Sequence, residues 1–313
     1  MNDSTRHAVL GAGPVGRAIA AELGERGEPV TVITRSGTEV AGATALPLDV
    51  RDPAALAEAL RRRHVQVVHQ SAQPAYDRWP EEFPALQASI VEACERTGVK
   101  LVVVENLYGY GRVTGPITES HPLTASTRKG AVRARMWHEL EAAHRAGRLR
   151  VVTVRASDFI GPWVEASAFG DRFFGPLLAG KSAEVYGPLD VLHSVTYVPD
   201  LARAMVELSG REEADGRAWH APSAPAVTVG ELEGLAAAAA GVEPSTRRVR
   251  SWQLRVAGLF VPAARESVEM LYEFADDFIV DDSAIRSRFG LDHTPLEVVM
   301  ERTVAARTHH SHR

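Results

Sequence analysis

The sequence has few of the features that define several protein classes. Its 313 residues include one cysteine, Cys94, which excludes an intramolecular disulfide framework and a multi-cysteine zinc site. No apolar run approaches the roughly 18 residues that a membrane span needs, and no signal peptide is recognisable. Its 40 acidic residues outnumber its 35 basic residues, so the basic excess of a general nucleic-acid binder is missing. We therefore expect a cytoplasmic protein without a membrane or nucleic-acid partner.

Lysine is also scarce. Of the 35 basic residues only Lys100, Lys129 and Lys181 are lysines, and the others are arginines. A lysine in such a chain is a candidate for a specific role, because its ammonium group is a compact point charge that an arginine does not reproduce.

Short β-branched runs alternate with longer helical stretches over the first part of the chain. We predict buried strands at 8–10, 30–34, 65–69, 101–104 and 151–154, and helices at 14–26, 53–63, 83–97 and 128–146. Continuous apolar strands separated by helices are typical of a parallel sheet with helices on both faces. The fold class is therefore α/β, a Rossmann-type doubly wound parallel sheet. We predict a dinucleotide-binding domain over residues 1–160. Residues 161–313 are predicted to form a smaller, mainly substrate-binding lobe, with some segments returning to the main sheet.

A glycine motif follows the first predicted strand. The stretch Gly11-Ala12-Gly13-Pro14-Val15-Gly16 fits G-x-G-x-x-G and opens a helix, which is the context that a dinucleotide-binding turn requires. Gly11 allows the tight turn, Gly13 lets a pyrophosphate approach the backbone, and Gly16 lets the helix pack against the strand. The amino end of the helix offers N–H groups and a positive dipole end to the phosphates.

The residues after the second strand indicate which dinucleotide binds. An Asp or Glu there would bind a free ribose 2′-hydroxyl, but this chain has Thr34-Arg35-Ser36. Arg35 can pair with a 2′-phosphate and Ser36 can donate beside it, so NADP(H) is favoured over NAD(H). Asp49 and Val50 are predicted to flank the adenine.

Several further segments resemble the extended short-chain dehydrogenase/reductase superfamily, of the NAD-dependent epimerase/dehydratase type. The resemblance covers most of the chain and includes the glycine motif and the segments 69–72, 107–109, 155–162 and 194–204. It implies that Ser71 lies near the cofactor, that the chain is a homodimer formed through the helices 83–97 and 128–146, and that the substrate is a small molecule.

The sequence departs from the catalytic pattern of this family. The family uses a Ser or Thr, and a Tyr four residues before a Lys, with the Tyr as the acid/base for hydride transfer. Lys129 is present, but Ala125 stands at the Tyr position and Val104 at the Ser position. Lys129 is therefore predicted to contact the cofactor and to take part in catalysis.

Three explanations of this departure remain open. Tyr108 or Tyr110 replaces the missing tyrosine in space, with Asn106 as a polar neighbour of the nicotinamide. Alternatively, the reaction needs no tyrosine, and Lys129 or a carboxylate supplies the proton. In the third case the protein binds the dinucleotide without turnover, as a sensor. The second case applies to the reduction of an activated C=C bond or an imine. The functions that remain open are an NADP(H)-dependent oxidoreductase, a non-redox epimerase, dehydratase or isomerase that retains its dinucleotide, and a dinucleotide-sensing regulator.

The substrate side of the predicted site is less specific in sequence. Asp158, His193 and Tyr272 are candidate substrate-binding residues. The stretch Gly175–Ser182 fits the P-loop pattern, but it follows a predicted helix and precedes a predicted strand, which is the reverse of the context that a P-loop needs. No metal site is predicted.

Overall fold

A computed structural model describes residues 4–260 and 268–310. Its strands are β1 (His7–Leu10), β2 (Val30–Thr34), β3 (Thr44–Pro47), β4 (Val67–Gln70), β5 (Lys100–Asn106), β6 (Val151–Ala156), β7 (Asp158–Ile160), β8 (Ala183–Tyr186), β9 (Leu192–His193), β10 (Val195–Tyr197), β11 (Ala218–His220), β12 (Val227–Thr228) and β13 (Thr246–Val249). Its helices are α1 (Pro14–Glu25), α2 (Pro53–Arg62), α3 (Trp79–Thr97), α4 (Arg128–Arg145), α5 (Asp171–Leu178), α6 (Val198–Ser209), α7 (Val229–Ala240), α8 (Ser251–Ala257), α9 (Ser283–Phe289) and α10 (Leu296–His310). No described helix is long and apolar enough to cross a membrane.

The central sheet has seven strands in the order β11-β6-β5-β4-β1-β2-β3. Strand β1 pairs in parallel with β2 and β4, and β2–β3 and β4–β5 are also parallel. The chain therefore extends the sheet outward from β1 in both directions, and the carboxyl end of β1 lies at the point where the direction reverses. In such sheets ligands bind at this point. The predicted Rossmann-type α/β fold is confirmed.

The chain divides into two compact units. The first contains residues 1–109, 128–155 and 201–219, and the second contains residues 110–127, 156–200 and 220–313. This division differs from a single boundary at residue 160, because residues 110–127 belong to the second unit and residues 201–219 return to the first. The return brings β11 into the central sheet beside β6.

Some predicted element boundaries were wrong. Helix α3 begins at Trp79 rather than Phe83, because Pro80 lies in the first helical turn, where its missing N–H costs nothing, and because Trp79 and Phe83 are both buried. Strand β3 was expected before Asp49 but given no bounds, since its burial is only partial. In the segment 251–275, α8 ends at Ala257, Val268–Phe274 forms 3-10 turns, and residues 261–267 lie outside the described residues.

The second unit has its own apolar core and three small two-stranded sheets. Strand β7 pairs in parallel with β10, β9 is antiparallel to β12, and β8 is parallel to β13. The core contains Phe173, Phe174, Leu232 and Met300, contributed by α5, α7 and α10. Helix α5 is followed by Gly180, with φ of 67°, and then by β8. A helix, a glycine and a strand in this order do not form a P-loop, which must follow a strand and open a helix.

Candidate cofactor and substrate sites

The glycine motif forms the tight turn that was predicted between β1 and α1. Gly11 has φ of 100°, and a Cβ atom there would lie 3.0 Å from the backbone of Ala72. A Cβ on Gly16 would lie 2.1 Å from the carbonyl oxygen of Gly11, which no side chain could tolerate without moving the backbone. Glycine is therefore required at both positions by the packing of the turn itself.

Gly13 has a different surrounding. A Cβ there would have no heavy atom within 4 Å, so the packing of the protein leaves this position open. Gly13 is the N-cap of α1 and no side chain caps the helix, while Pro14 occupies the first turn and has no N–H. The N–H groups of Val15 and Gly16 thus stand at an uncapped helix start. This open cradle fits the phosphates of a dinucleotide.

Ser71 links the ends of two strands beside this turn. Its backbone N–H and its hydroxyl both donate to the carbonyl oxygen of Leu10, at 3.0 and 2.9 Å. The Ser71 hydroxyl would also lie 2.9 Å from a Cβ on Gly16. Ser71 therefore holds the carboxyl ends of β1 and β4 together at the base of the glycine turn.

The predicted adenosine-side residues follow β2 and β3. Arg35 and Ser36 are exposed, and the Ser36 hydroxyl lies 2.8 Å from that of Thr38. Asp49 forms an ion pair with Arg51 at 2.6 Å, and this partner lowers the Asp49 pKa to about 2, with a smaller contribution from the charge of Arg35. Arg35 and Asp49 therefore lie in the same region.

Val50, by contrast, is buried. Its carbonyl oxygen accepts a 3.0 Å hydrogen bond from the Ser89 hydroxyl of α3. Among the predicted adenosine-side residues Val50 is thus tied to the helix layer, whereas Arg35, Ser36 and Asp49 are accessible to a ligand.

Lys129 lies in the first turn of α4 and is fully buried. Its Nζ is 4.5 Å from the centre of the Tyr76 ring, a cation–π geometry. The Tyr76 hydroxyl donates to the Tyr108 hydroxyl at 3.4 Å, and the Tyr108 N–H donates to Oδ1 of Asn106 at 3.3 Å. The structure therefore brings together Lys129, Tyr108 and Asn106, which were predicted, through Tyr76, which was not.

Arg133 follows Lys129 by one helical turn and lies on the same face of α4. Its guanidinium is 4.7 Å from the Phe83 ring centre and 3.5 Å from the Glu105 carboxylate, which also accepts from Arg155 Nε at 3.1 Å. Burial lowers the pKa of Arg133, while Glu105 and the Tyr108 hydroxyl act in the opposite direction. The cluster thus places positive charge near Tyr108. Arg133 was not predicted, and the four-residue spacing from Lys129 is the sequence feature that could have indicated it.

Tyr110 is in a different position from Tyr108. It is 1% exposed, and its hydroxyl lies 2.9 Å from Nε2 of His220. The other ring nitrogen of His220 lies 2.8 Å from the Asp281 carbonyl oxygen, so it carries the proton and Tyr110 is the donor to Nε2. We therefore leave Tyr110 out of the proposed catalytic set.

In the second unit, Asp158 begins β7 and His193 ends β9. Oδ2 of Asp158 lies 2.9 Å from Nε2 of His193, which is completely buried. The His193 ring stacks on Phe274 at 4.7 Å and on Phe278 at 5.3 Å. Asp158 remains partly accessible, so it is the member of this pair that a ligand can reach.

A second carboxyl group adjoins this pair. Burial raises the pKa of Glu273 well above its ordinary value, and the charge of Asp158 raises it further. Nothing in the sequence pattern pointed to Glu273. Its neighbour Tyr272, which was predicted to bind substrate, has the guanidinium of Arg112 5.5 Å from its ring centre. Within the described ranges 4–260 and 268–310, no group of three or more His, Cys, Asp or Glu side chains could hold a metal ion.

The comparisons with known proteins agree with this geometry. Residues 8–220 match the model of the NAD dependent epimerase/dehydratase family. No match was found among proteins of curated function.

Solved structures of epimerases have the same fold. UDP-glucose 4-epimerase from Thermotoga maritima, solved with UDP-glucose, has a TM-score of 0.79 and 18% identity, with 98% of this chain and 100% of that chain covered. An epimerase from Methanothermobacter thermautotrophicus has a TM-score of 0.81 and 16% identity, covering 99% of this chain and 94% of that one. UDP-glucose 4-epimerase from Thermus thermophilus, in complex with NAD, has a TM-score of 0.75 and 20% identity, covering 96% and 98%. With the family match over residues 8–220 and the glycine turn, the chain belongs to the NAD-dependent epimerase/dehydratase family of enzymes.

Proposed function

We propose that the chain is an NADP(H)-dependent oxidoreductase that acts on a small organic or sugar-like molecule. The observation that carries this proposal is the grouping of the buried Lys129 with Tyr76 and, through the Tyr76 hydroxyl, with Tyr108. It supplies a phenol and an ammonium group although Ala125 and Val104 stand at the usual positions of the tyrosine and serine.

Hydride transfer is the chemistry that a bound nicotinamide supplies. The protein must then deliver or accept a proton at the substrate oxygen. In our proposal the Tyr108 hydroxyl does this, since it accepts a hydrogen bond from Tyr76 and lies near the guanidinium of Arg133. Lys129 packs on the Tyr76 ring, and in this proposal it contacts the nicotinamide ribose, as the catalytic pattern of the family implies.

The test of this assignment compares Tyr108→Phe with Tyr110→Phe. NADPH oxidation is first screened against sugar nucleotides and small carbonyl compounds to find a substrate. Loss of the Tyr108 proton donor should then lower turnover by roughly 100-fold or more, with cofactor affinity retained. Tyr110→Phe should keep turnover and lower stability by about 1–2 kcal/mol, because His220 loses its buried donor. Full activity in both variants would contradict the role of Tyr108.

The preference for NADP(H) is also part of the proposal. Arg35 and Ser36 are exposed directly after β2, where a ribose 2′-phosphate would lie, and no carboxylate follows that strand. Arg35→Asp should weaken NADPH binding by about 10- to 100-fold, since a charge-assisted hydrogen bond is replaced by repulsion. NADH binding should be unchanged or improved. Fluorescence titration with both cofactors measures this, and Arg62→Asp, an exposed arginine on α2, is the control. An unchanged ratio of affinities would mean that Arg35 does not select the cofactor.

A second candidate is non-redox epimerisation with a retained dinucleotide. The UDP-glucose 4-epimerases among the structural neighbours favour it. Interconversion of a sugar nucleotide without net change in nicotinamide absorbance would support this function, whereas net consumption of NADPH would support the first. Binding of the dinucleotide without any turnover would indicate a sensor.

We also infer that Asp158, with His193 behind it, accepts a hydrogen bond from the substrate. In the same proposal the protein is a cytoplasmic homodimer formed through α3 and α4. Light scattering measures the oligomeric state directly.

A further inference from the structure

The segment around α8 carries an unusual apolar surface. Four large side chains are exposed there, namely Trp252 at 56%, Val256 at 51%, Leu259 at 77% and Phe260 at 83%. Trp252 and Val256 lie one helical turn apart on α8, and Leu259 and Phe260 follow in the turn after the helix. We call these four side chains the apolar stripe. Leu254 is buried and anchors the opposite face. Clustered exposed side chains of this size mark a surface that contacts another apolar phase.

Basic residues flank the apolar stripe in the sequence. Residues 244–260 contain four arginines and no acidic residue. Arg248 and Arg250 are exposed immediately before α8, and Arg247, also exposed, pairs with Glu184. The start of α8 is fixed by a 2.7 Å hydrogen bond from the Arg250 N–H to Oε1 of Gln253, so these arginines border the stripe at a defined place.

The charges discriminate between possible occupants. A second copy of the chain, docked stripe to stripe, would bring two sets of arginines together and would be repelled. An anionic lipid surface would attract the same arginines and accept the apolar side chains, with tryptophan at the interface. We propose that the apolar stripe and its arginine border dock on the surface of membranes that contain anionic phospholipids.

This proposal is compatible with the absence of a spanning segment. The described helices cannot cross a bilayer, and the sequence predicted no membrane partner on that ground. Crossing requires a long apolar run, whereas binding in the plane of the interface requires one short apolar face with basic neighbours.

Vesicle co-sedimentation tests the proposal with the full chain. Binding is expected to vesicles of phosphatidylcholine mixed with phosphatidylserine, and not to phosphatidylcholine alone. Arg248→Glu/Arg250→Glu should reduce the partition coefficient at least about 30-fold, since each arginine near an anionic surface contributes about a factor of five. Leu259→Gln/Phe260→Gln should abolish binding, and Leu189→Gln, an exposed leucine outside the stripe, should have no effect.

Trp252 provides an independent readout. Its fluorescence should shift to the blue when phosphatidylserine vesicles are added, and Trp252→Phe should lose the shift while the other four tryptophans remain. Circular dichroism spectra and thermal unfolding should be the same as those of the wild type in all variants, which shows that both units are folded. The proposal is overturned if no vesicle binding occurs, or if binding persists in both double variants. It is also overturned if the Leu259/Phe260 variant instead abolishes self-association of a protein that does not bind vesicles.

Discussion

A buried carboxyl group in each unit of the chain shows a contrast in electrostatic surroundings. In the first, buried groups are opposed by partners of the other sign, as Glu105 is by Arg133 and Arg155, and as Lys100 is by Asp215 at 2.5 Å. In the second, burial and then the like charge of Asp158 raise the pKa of Glu273. The first arrangement joins strands by ion pairs, whereas the second favours the protonated form of a buried carboxyl group.

This difference separates scaffold from candidate site. Compensated ion pairs are common in protein interiors and need no ligand to explain them. A buried carboxyl group whose pKa is raised by a second carboxylate is the kind of environment that marks functional sites. This supports our proposal that Asp158, rather than Tyr272, contacts the substrate.

The largest effect on stability is expected when the buried ion-pair cluster of Glu105, Arg133 and Arg155 is disrupted. Glu105→Gln removes the buried carboxylate that Arg133 and Arg155 share, and should lower the free energy of unfolding by about 3–5 kcal/mol. Chemical denaturation measures the loss. The matched control is Glu139→Gln, which removes an exposed 3.8 Å pair with Arg135 on α4 and should cost less than about 1 kcal/mol. Equal losses in both variants would mean that the buried charges are not mutually compensated.

Glu273→Gln should raise the free energy of unfolding at neutral pH rather than lower it. Because the pKa of Glu273 is raised in the folded protein, the proton that it holds stabilises the fold fully below its ordinary value of 4.5. This contribution is lost as the pH rises through the folded pKa. The glutamine variant should therefore match the wild type in stability at acidic pH and exceed it at neutral pH. Glu243→Gln, at an exposed position, should show no such pH dependence. A variant less stable than the wild type at neutral pH would show that the carboxyl group is needed there.

The parts of the structure that follow from local sequence were predicted well. The glycine turn depends on steric demands at Gly11 and Gly16, which lie close together in the sequence. The motif and its position between a strand and a helix were therefore enough to predict the turn. Lys129 was identified because it stands four residues after Ala125, which occupies the position of the family's catalytic tyrosine.

Tyr76 and Glu273 could not be predicted. Tyr76 meets Lys129 only because a 3-10 turn before α3 comes against α4. Glu273 differs from other glutamates only in its burial, which is a property of the folded second unit. In both cases the decisive contact is tertiary, and no periodicity or spacing in the sequence records it.

The smallest expected effect on stability comes from a pair of buried histidines in the first unit, at acidic pH. His69 is completely buried on β4, and its Nε2 lies 3.0 Å from Nδ1 of His7, whose Nε2 lies 2.5 Å from Glu28. Burial first, and then the charges of His7 and Lys100, lower the pKa of His69 well below 6.5. Burial likewise lowers the pKa of His7, although Glu28 opposes it.

A histidine with a lowered folded pKa contributes stability that is complete above its ordinary pKa of 6.5 and is lost as the pH falls from there through the folded pKa. His69→Gln keeps a side chain that can hydrogen-bond to His7 but cannot titrate. Its free energy of unfolding should therefore fall less than that of the wild type between neutral and mildly acidic pH, whereas His138→Gln, on the exposed face of α4, should follow the wild type. If the free energy of unfolding falls equally in His69→Gln and the wild type, the buried histidine does not cause the acid sensitivity of the first unit. Of the two buried groups, only Glu273 would then make stability depend on pH.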